Sequence, residues 1–247
     1  DQLSNIDTTF IYVIIDKFTY EEFLKIKQYE NTIQHDVKSI EYYLRDQFIK
    51  YGFKSLTSFI HFGLTSQDIN NTAISLSLKE YIFKGYSTKI THLFSKLNTK
   101  IQDWNDIVMI SRTHGQPAVP TTLGKELKVF NYRLQIQCDI LKNVNFYGKF
   151  GGACGNLNAH KCAYPNIDWI TFGNNFMKSL GLIRSQYTTQ IDNYDNLSVL
   201  FDCLKRINTI LIDFCQDIWL YIFMDYLQLK INTNEVGSST MPQKVNP

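Results

Sequence analysis

The chain has 247 residues, with 25 Lys or Arg and 23 Asp or Glu, and a net charge of +2 at pH 7. This balance argues against nucleic-acid binding, which normally needs a clear basic surplus. Hydrophobic residues make up 44% of the chain and aromatic residues 14%, enough for a core and too many for a disordered protein. The most apolar stretch, 207–227, is interrupted by Asp213, Asp217 and Asp225, so we expect no membrane span.

Cysteine usage indicates a reducing compartment. None of the cysteines has the paired spacing of a zinc site or of a disulfide framework, so we expect free thiols and no structural metal. The first residues are polar and lack a basic signal-peptide region, which favours a cytoplasmic protein. The chain starts without methionine and stops inside a polar segment, and we therefore expect a fragment. The cysteines are Cys138, Cys154, Cys162, Cys203 and Cys215.

Long stretches without glycine or proline predict a helical protein. In chain order, the first predicted helical region is 19–50, with its boundary at Tyr51–Gly52. A longer one covers about 69–109, where apolar residues recur at steps of three and four. Gly85 lies inside this second region, and we expect a kink or a break there.

Two more helices complete the prediction. Thr65 and Asp68 have the spacing of a capping box at the start of the second helix. In a capping box, each of the two side chains accepts a hydrogen bond from the backbone N–H of the other residue. The third helix runs over about 121–144, directly after Pro120, and the fourth over 196–230. A helix of that last length extends about 50 Å. Helices this long need equally long neighbours, from the same chain or from another copy.

Polar segments separate these helices, and four of the five histidines lie in them. Each segment has an ordinary structural interpretation: Thr65 and Ser66 as helix caps, His35–Asp36 as a surface pair, and His114 as a turn residue. Their composition also suits a site built at helix ends, where backbone amides and hydroxyls hold anions. The segments are 34–36, 61–68, 111–117, 155–160, 188–190 and 237–247.

The last of these segments, Gly-Ser-Ser-Thr-Met-Pro-Gln-Lys-Val-Asn-Pro at 237–247, resembles the signature loop of the fumarase/aspartase superfamily. Within that superfamily, Ser-Arg-Thr-His-Gly-Gln-Pro at 111–117 resembles the adenylosuccinate lyase family. In that family Gly-Gln follows the histidine, where fumarases and argininosuccinate lyases have Leu-Gln. Other segments resemble its longer bacterial-type branch in order and spacing: 63–71, 155–160, 165–169 and 188–191.

This resemblance implies an all-α fold, a long-helix bundle preceded by a smaller helical domain. Residues 1–52 would be the C-terminal portion of the small first domain. Residues 53–247 would be the central long-helix domain, truncated within the signature loop. The family's members form homotetramers whose active sites are shared between subunits, and we expect the same here.

The resemblance also implies a lyase of purine biosynthesis. It would eliminate fumarate from adenylosuccinate to give AMP, and from succinylaminoimidazole carboxamide ribotide, without a cofactor or a metal. His114 would be the general acid and Ser238 the base. The implied substrate-binding residues are Gln34, His35, Asp36, Thr65, Ser66, Gln190, Lys244 and Asn246, with His61, Asn158 and His160 as weaker candidates.

Two alternatives stay open. One is another fumarate-releasing lyase of the same superfamily, acting on argininosuccinate or malate, and the other is a catalytically inactive helical scaffold. Ser238 lacks the GxSxG elbow of a hydrolase, which argues against a serine esterase. The sequence contains neither GxxxxGK[ST] nor GxGxxG, so nucleotide binding through a phosphate loop is not predicted.

Overall fold

The computed structural model of the protein describes residues 9–230 and 237–241, and these are mostly helical. The chain divides into two compact units, each built from separated stretches of sequence. The first unit consists of residues up to Leu78 together with Asn145–Tyr194, and the second of Lys79–Val144 together with residues from Asp195 onward. The predicted domain boundary near residue 52 stays a prediction. None of the described helices is long and apolar enough to cross a membrane.

The first unit begins with three helices, α1 (Thr9–Asp16), α2 (Tyr20–Ile33) and α3 (Asp36–Lys50). The region predicted as helical over 19–50 is thus two helices, because Gln34 adopts a left-handed conformation with φ 54° and ends α2. A small aromatic core holds these helices together. Phe10 is buried and stacks on Phe53 with ring centroids 4.0 Å apart.

The next elements of this unit are a 3₁₀ segment (Lys54–Phe59) and α4 (Ser66–Glu80). After residue 144 the unit resumes with β3 (Tyr147–Gly148), α7 (Asn158–Ala163), α8 (Trp169–Ser179) and β4 (Ile183–Arg184). The two short strands pair in parallel. Asp168 caps α8 by accepting the backbone N–H groups of Ile170 and Thr171. The buried apolar side chains of this part are Phe146, Phe150, Leu157, Trp169, Met177 and Leu182.

The second unit contains the long helices. A π-helical segment (Tyr81–Tyr86) leads into α5 (Ser87–Asp103), and α6 (Leu123–Lys142) packs between α5 and α9 (Asp195–Phe223). At 29 residues α9 is about 44 Å long. Its buried stripe faces that of α6, and both repeat at steps of three and four. These residues are Leu127, Phe130, Leu134, Cys138 and Leu141 of α6, and Leu200, Cys203, Ile207 and Ile210 of α9.

The predicted helix boundaries differ from the observed ones in the two longest predicted regions. The region predicted over 69–109 is two α-helices joined by the π-helical segment, which contains Gly85. The second of these helices ends at Asp103, and α9 ends at Phe223 rather than at residue 230. Gly124 lets the start of α6 approach the end of α5, because a Cβ at this position would lie 2.6 Å from Ile101 O.

A β-hairpin stands where a polar loop was expected. Strands β1 (Val108–Thr113) and β2 (Gln116–Thr122) pair antiparallel, with a bulge between Ile110 and Arg112. Two prolines in β2 are tolerated because a two-stranded sheet leaves each strand one unpaired edge. Among the residues that the structure describes, each unit thus adds one strand pair to its helices.

Candidate active site

The junction of α2 and α3 carries the first predicted substrate-binding residues. Gln34 closes α2, and His35 caps α3 by accepting the backbone N–H of Lys38 at Nδ1, 3.2 Å away. Nδ1 also lies 3.4 Å from Asp36 Oδ1, so the ring is held close to both the backbone and the neighbouring carboxylate. Asp36 is the first residue of α3, and all three predicted residues are exposed. The segment therefore presents an amide, an imidazole and a carboxylate to solvent.

The start of α4 carries Thr65 and Ser66, both half-buried. The predicted capping box is present in one direction, because the Thr65 backbone N–H donates to Asp68 Oδ2 at 2.8 Å. In the other direction, the Asp68 N–H donates to the Thr65 carbonyl and not to its hydroxyl. The Asp68 carboxylate is 1% exposed and serves as more than a cap.

Asp68 ties the start of α4 to the glycine-rich loop that follows Lys149. Its Oδ1 accepts from Lys149 Nζ at 2.8 Å and from the Gly151 N–H at 2.9 Å, and its Oδ2 accepts from the Gly152 N–H at 3.1 Å. The Lys149 side chain is 0% exposed and also donates to the Gly152 carbonyl. Removing either partner of such a buried pair costs about 3–5 kcal/mol, since it leaves an uncompensated charge.

Two more contacts reach the first turns of α4, one of them from a predicted segment. Asn70 donates from Nδ2 to Asp36 Oδ2 at 3.0 Å, and this bond holds the pKa of Asp36 below its usual value. The Tyr194 hydroxyl donates to Gln67 Oε1, also at 3.0 Å. Both bonds fall within the first two turns of α4. These turns therefore contact the 34–36 segment, the glycine-rich loop and the residue that precedes α9.

The segment 188–190 also reaches this region. Gly155 has a positive φ of 80°, and a Cβ there would lie 2.0 Å from the Thr188 carbonyl oxygen. Only glycine permits so close an approach of the two backbones. Gln190 is exposed, as is Asn158 at the start of α7. Contacts thus link four of the predicted segments in the first unit: 34–36 with α4, the start of α4 with the glycine-rich loop, and that loop with 188–190.

His160 is a buried histidine within an aromatic cluster. Its ring lies 4.8 Å from that of Trp169 and 5.5 Å from that of Phe62, measured between centroids. Burial lowers its pKa below the usual value. Neither ring nitrogen has a hydrogen-bond partner among the described residues. His160 and Asp68 also line an aromatic cavity of about 700 Å³. His61 is half-buried and directly precedes Phe62, another residue of that lining.

The second unit carries His114 at the tip of its hairpin. His114 and Gly115 form a two-residue loop with φ values of 51° and 74°, the combination of a type I′ turn. Arg112 supports the turn by donating from Nη1 to the Gly115 carbonyl at 3.1 Å. The His114 side chain is exposed. The turn thus projects an accessible imidazole from a short, hydrogen-bonded loop.

Ser238, also in the second unit, accepts hydrogen bonds from its own loop. The backbone N–H groups of Met241 and Thr240 donate to its Oγ at 3.2 and 3.4 Å. Donors in this arrangement stabilise negative charge on the serine oxygen. Lys244 and Asn246, the remaining predicted residues, lie outside the described residues.

Sequence reasoning missed three side chains that organise the first unit's site: Lys149, Asn70 and Tyr194. A lysine in a sequence ordinarily indicates an exposed position, and nothing local marks Lys149 as buried. The run of glycines that follows it was a usable signal, since glycines allow close backbone approach. Asn70 lies four residues after Ser66 on the same helix face, where a role beside Ser66 could be anticipated.

Curated relatives at moderate identity cover almost all of this chain. An adenylosuccinate lyase of Dictyostelium discoideum is 51% identical over 238 residues, which cover 94% of this chain and 51% of that protein. One from Legionella pneumophila (strain Corby) is 45% identical over 246 residues, 99% of this chain and 54% of that protein. The Escherichia coli K12 enzyme is 42% identical over 239 residues, 96% and 52% respectively. The chain spans about half the length of these relatives, and the predicted resemblance to adenylosuccinate lyases is confirmed.

Solved structures support the fold. A fumarate lyase from Mesorhizobium sp. BNC1 matches with a TM-score of 0.72 at 19% identity, over 90% of this chain and 51% of that one. The β-carboxy-cis,cis-muconate cycloisomerase from Acinetobacter calcoaceticus sp. ADP1 matches with a TM-score of 0.67 at 20% identity, with the same coverage. The predicted helical fold class is confirmed. A family model described as a lyase, Lyase_1, matches residues 7–247, and the chain therefore belongs to this lyase family.

Proposed function

We propose that the full protein is an adenylosuccinate lyase. It eliminates fumarate from adenylosuccinate to leave AMP, and from succinylaminoimidazole carboxamide ribotide in the same way, in purine biosynthesis. The observation that carries the proposal is the 51% identity to the Dictyostelium discoideum adenylosuccinate lyase over 238 residues. The contacts that link four predicted segments through α4 and the glycine-rich loop agree with it.

The elimination needs a base and an acid. The base removes a proton from Cβ of the succinyl group, the resulting electron pair forms the double bond of fumarate, and the C–N bond breaks. The acid protonates the departing nitrogen. We assign the base to Ser238, whose oxygen already accepts two backbone N–H groups, and the acid to His114. A histidine suits this second role because imidazole titrates near neutral pH.

The other proposed residues bind substrate. Thr65 and Ser66 at the start of α4 hold a succinyl carboxylate, since hydroxyls and a helix N-terminus both favour anions. Gln34, His35, Asp36 and Gln190 contact and orient the substrate, and their segments all reach the same part of the first unit. Lys244 and Asn246 stabilise the carbanion's carboxylate. Acid, base and donors are sufficient for this chemistry, so the proposed reaction uses no cofactor or metal.

We also propose a homotetramer, with active sites that combine residues of different subunits, in the cytoplasm. The support is the apolar surface that the long helices leave exposed. The apolar side chains of α6 and α9 on this surface are between 40% and 74% exposed. Exposed apolar area of this extent is typical of a surface that another chain covers. They are Val129, Tyr132, Ile136 and Ile140 of α6, and Val199, Phe201, Ile212, Trp219 and Phe223 of α9.

An assay of the full-length protein tests the activity. Purified enzyme is incubated with adenylosuccinate, and loss of substrate is followed by absorbance and by chromatography of AMP. Parallel incubations contain argininosuccinate or malate. Turnover of adenylosuccinate supports the proposal, preferential turnover of another substrate favours a different fumarate-releasing lyase, and no turnover of any substrate favours an inactive scaffold.

A further inference from the structure

Burial of the Asp68–Lys149 ion pair is an energetically costly way to stabilise a fold. Removing two charges from water costs several kcal/mol per ion, and well-packed apolar side chains often serve stability equally well. Here both side chains are at most 1% exposed, with Nζ and Oδ1 2.8 Å apart. A buried ion pair at this position therefore indicates a role beyond stability.

The position of Asp68 suggests the role. Asp68 lies in the first turn of α4, two residues after Ser66, and its own carboxylate bonds the Thr65 N–H. A negative charge at this end of a helix is favourable for the helix dipole, but it repels any second anion that binds there. Since a buried charge is poorly screened, this repulsion extends over several ångströms. An anion site at Thr65 and Ser66 therefore requires the charge of Asp68 to be neutralised.

Lys149 forms a direct ion pair with Asp68 within the described part of the chain. Its ammonium donates to Oδ1, while the N–H groups of Gly151 and Gly152 complete the coordination of the carboxylate. We propose that Lys149 is a positioning residue acting through Asp68, whose charge keeps the start of α4 receptive to the substrate's succinyl carboxylate. This inference rests on the proposed function, because it takes the succinyl group as the anion.

The test compares two ligands of the full-length protein, measured directly by isothermal titration calorimetry. Fumarate carries the carboxylates, whereas AMP lacks the succinyl group. In Lys149→Met the apolar stem is kept and the charge is lost. We expect the Kd of fumarate to rise about tenfold or more, the effect of one uncompensated charge within ~10 Å at an effective dielectric of ~20. The Kd of AMP should change by less than about threefold.

Control variants separate charge from stability. Leu182→Ala removes a buried side chain of the same unit and should lower the melting temperature while leaving the ratio of the two Kd values unchanged. Lys149→Arg keeps the charge and should also keep the ratio. If Lys149→Met does not fold, the neutral pair Asp68→Asn with Lys149→Met replaces it. Because this double variant carries no charge to repel an anion, its ratio should stay close to that of the wild type.

The outcomes are distinct from those of the proposed function. The inference is overturned if the ratio of the fumarate Kd to the AMP Kd is the same in Lys149→Met as in the wild type. It is also overturned if this ratio changes in Leu182→Ala together with the melting temperature. A raised ratio in the neutral double variant also overturns it. A wild-type protein that binds fumarate but does not turn over adenylosuccinate contradicts the proposed function alone.

Discussion

The Asn70 side chain donates a 3.0 Å hydrogen bond to the carboxylate of Asp36, 34 residues earlier in the chain. The bond joins the first residue of α3 to the second turn of α4, and so links two segments proposed to bind substrate. It is also the largest cause of the lowered pKa of Asp36. The ionisation of Asp36 therefore reports on this link.

Asn70→Ala should raise the pKa of Asp36 towards 3.8, the ordinary value. The folded-state pKa in the wild type is depressed, so the bond's contribution to stability is present above the ordinary pKa and is lost as the pH falls through the folded value. NMR titration of the Asp36 carboxyl carbon measures this pKa in the full-length wild type and in full-length Asn70→Ala. An unchanged pKa in Asn70→Ala would show that the bond is not formed in solution.

Replacing the proposed acid or base should reduce turnover strongly. His114→Ala and Ser238→Ala in the full-length enzyme should each lower kcat by at least about 10²-fold, as is typical for a lost general acid or base. Matched controls are His92→Ala, an exposed histidine on α5, and Ser239→Ala, the neighbouring exposed serine. Steady-state kinetics with adenylosuccinate decides, and near-normal turnover by His114→Ala or Ser238→Ala removes that assignment.

The type I′ turn gives a test of how His114 is held. Gly115→Ala places a side chain at φ 74° with no atom within 4 Å of the new Cβ, so its cost of about 1 kcal/mol comes from the backbone alone. Gly52→Ala is matched, since Gly52 has φ 88° and equally open surroundings. Chemical denaturation should show similar losses for both. Only Gly115→Ala should also lower kcat, by about tenfold or more, because it displaces the imidazole. If kcat of Gly115→Ala equals that of the wild type, the geometry of the turn does not determine how His114 acts.

Shared active sites predict complementation between inactive variants. His114→Ala and Ser238→Ala full-length proteins, mixed and allowed to exchange subunits, should recover part of the wild-type activity. Some mixed sites would then receive both functional groups from different chains. Activity after exchange is compared with that of each variant alone, and light scattering gives the mass of the assembly. A monomer without recovery rules out the shared-site proposal.

Gly155→Ala should be among the most damaging single changes in the first unit. The added Cβ would lie 2.0 Å from a backbone oxygen, that of Thr188, which cannot rotate away as a side chain would. Together with the positive φ, this predicts a loss of about 3 kcal/mol or more in the free energy of unfolding. Denaturation of the variant, with Gly52→Ala beside it as the strain-only control, measures the difference. A cost equal to that of Gly52→Ala would contradict the close approach.

The long helices could be predicted because their signal is local. The apolar stripe of α6 lies within 20 consecutive residues, and its predicted and observed limits differ by about two residues. The hairpin could not be predicted in the same way. The prolines of β2 argue against a strand unless that strand is known to have an edge without hydrogen-bonding partners. The site was predictable only as separate segments. Their meeting at α4 depends on contacts such as Asp68 with Lys149, which are 81 residues apart and leave no periodic pattern.

The distance between Asp68 and Lys149 in the sequence also sets the order in which the parts of the first unit are synthesised. Residues Lys79–Val144, which belong to the second unit, are synthesised between the two parts of the first. At ~5–20 residues per second, Asp68 is added to the growing chain about 4–16 seconds before Lys149. During this interval the carboxylate lacks the ammonium that pairs with it in the folded unit. The hydrogen bonds between Asp68 and the glycine-rich loop therefore form only after Gly152 has been translated.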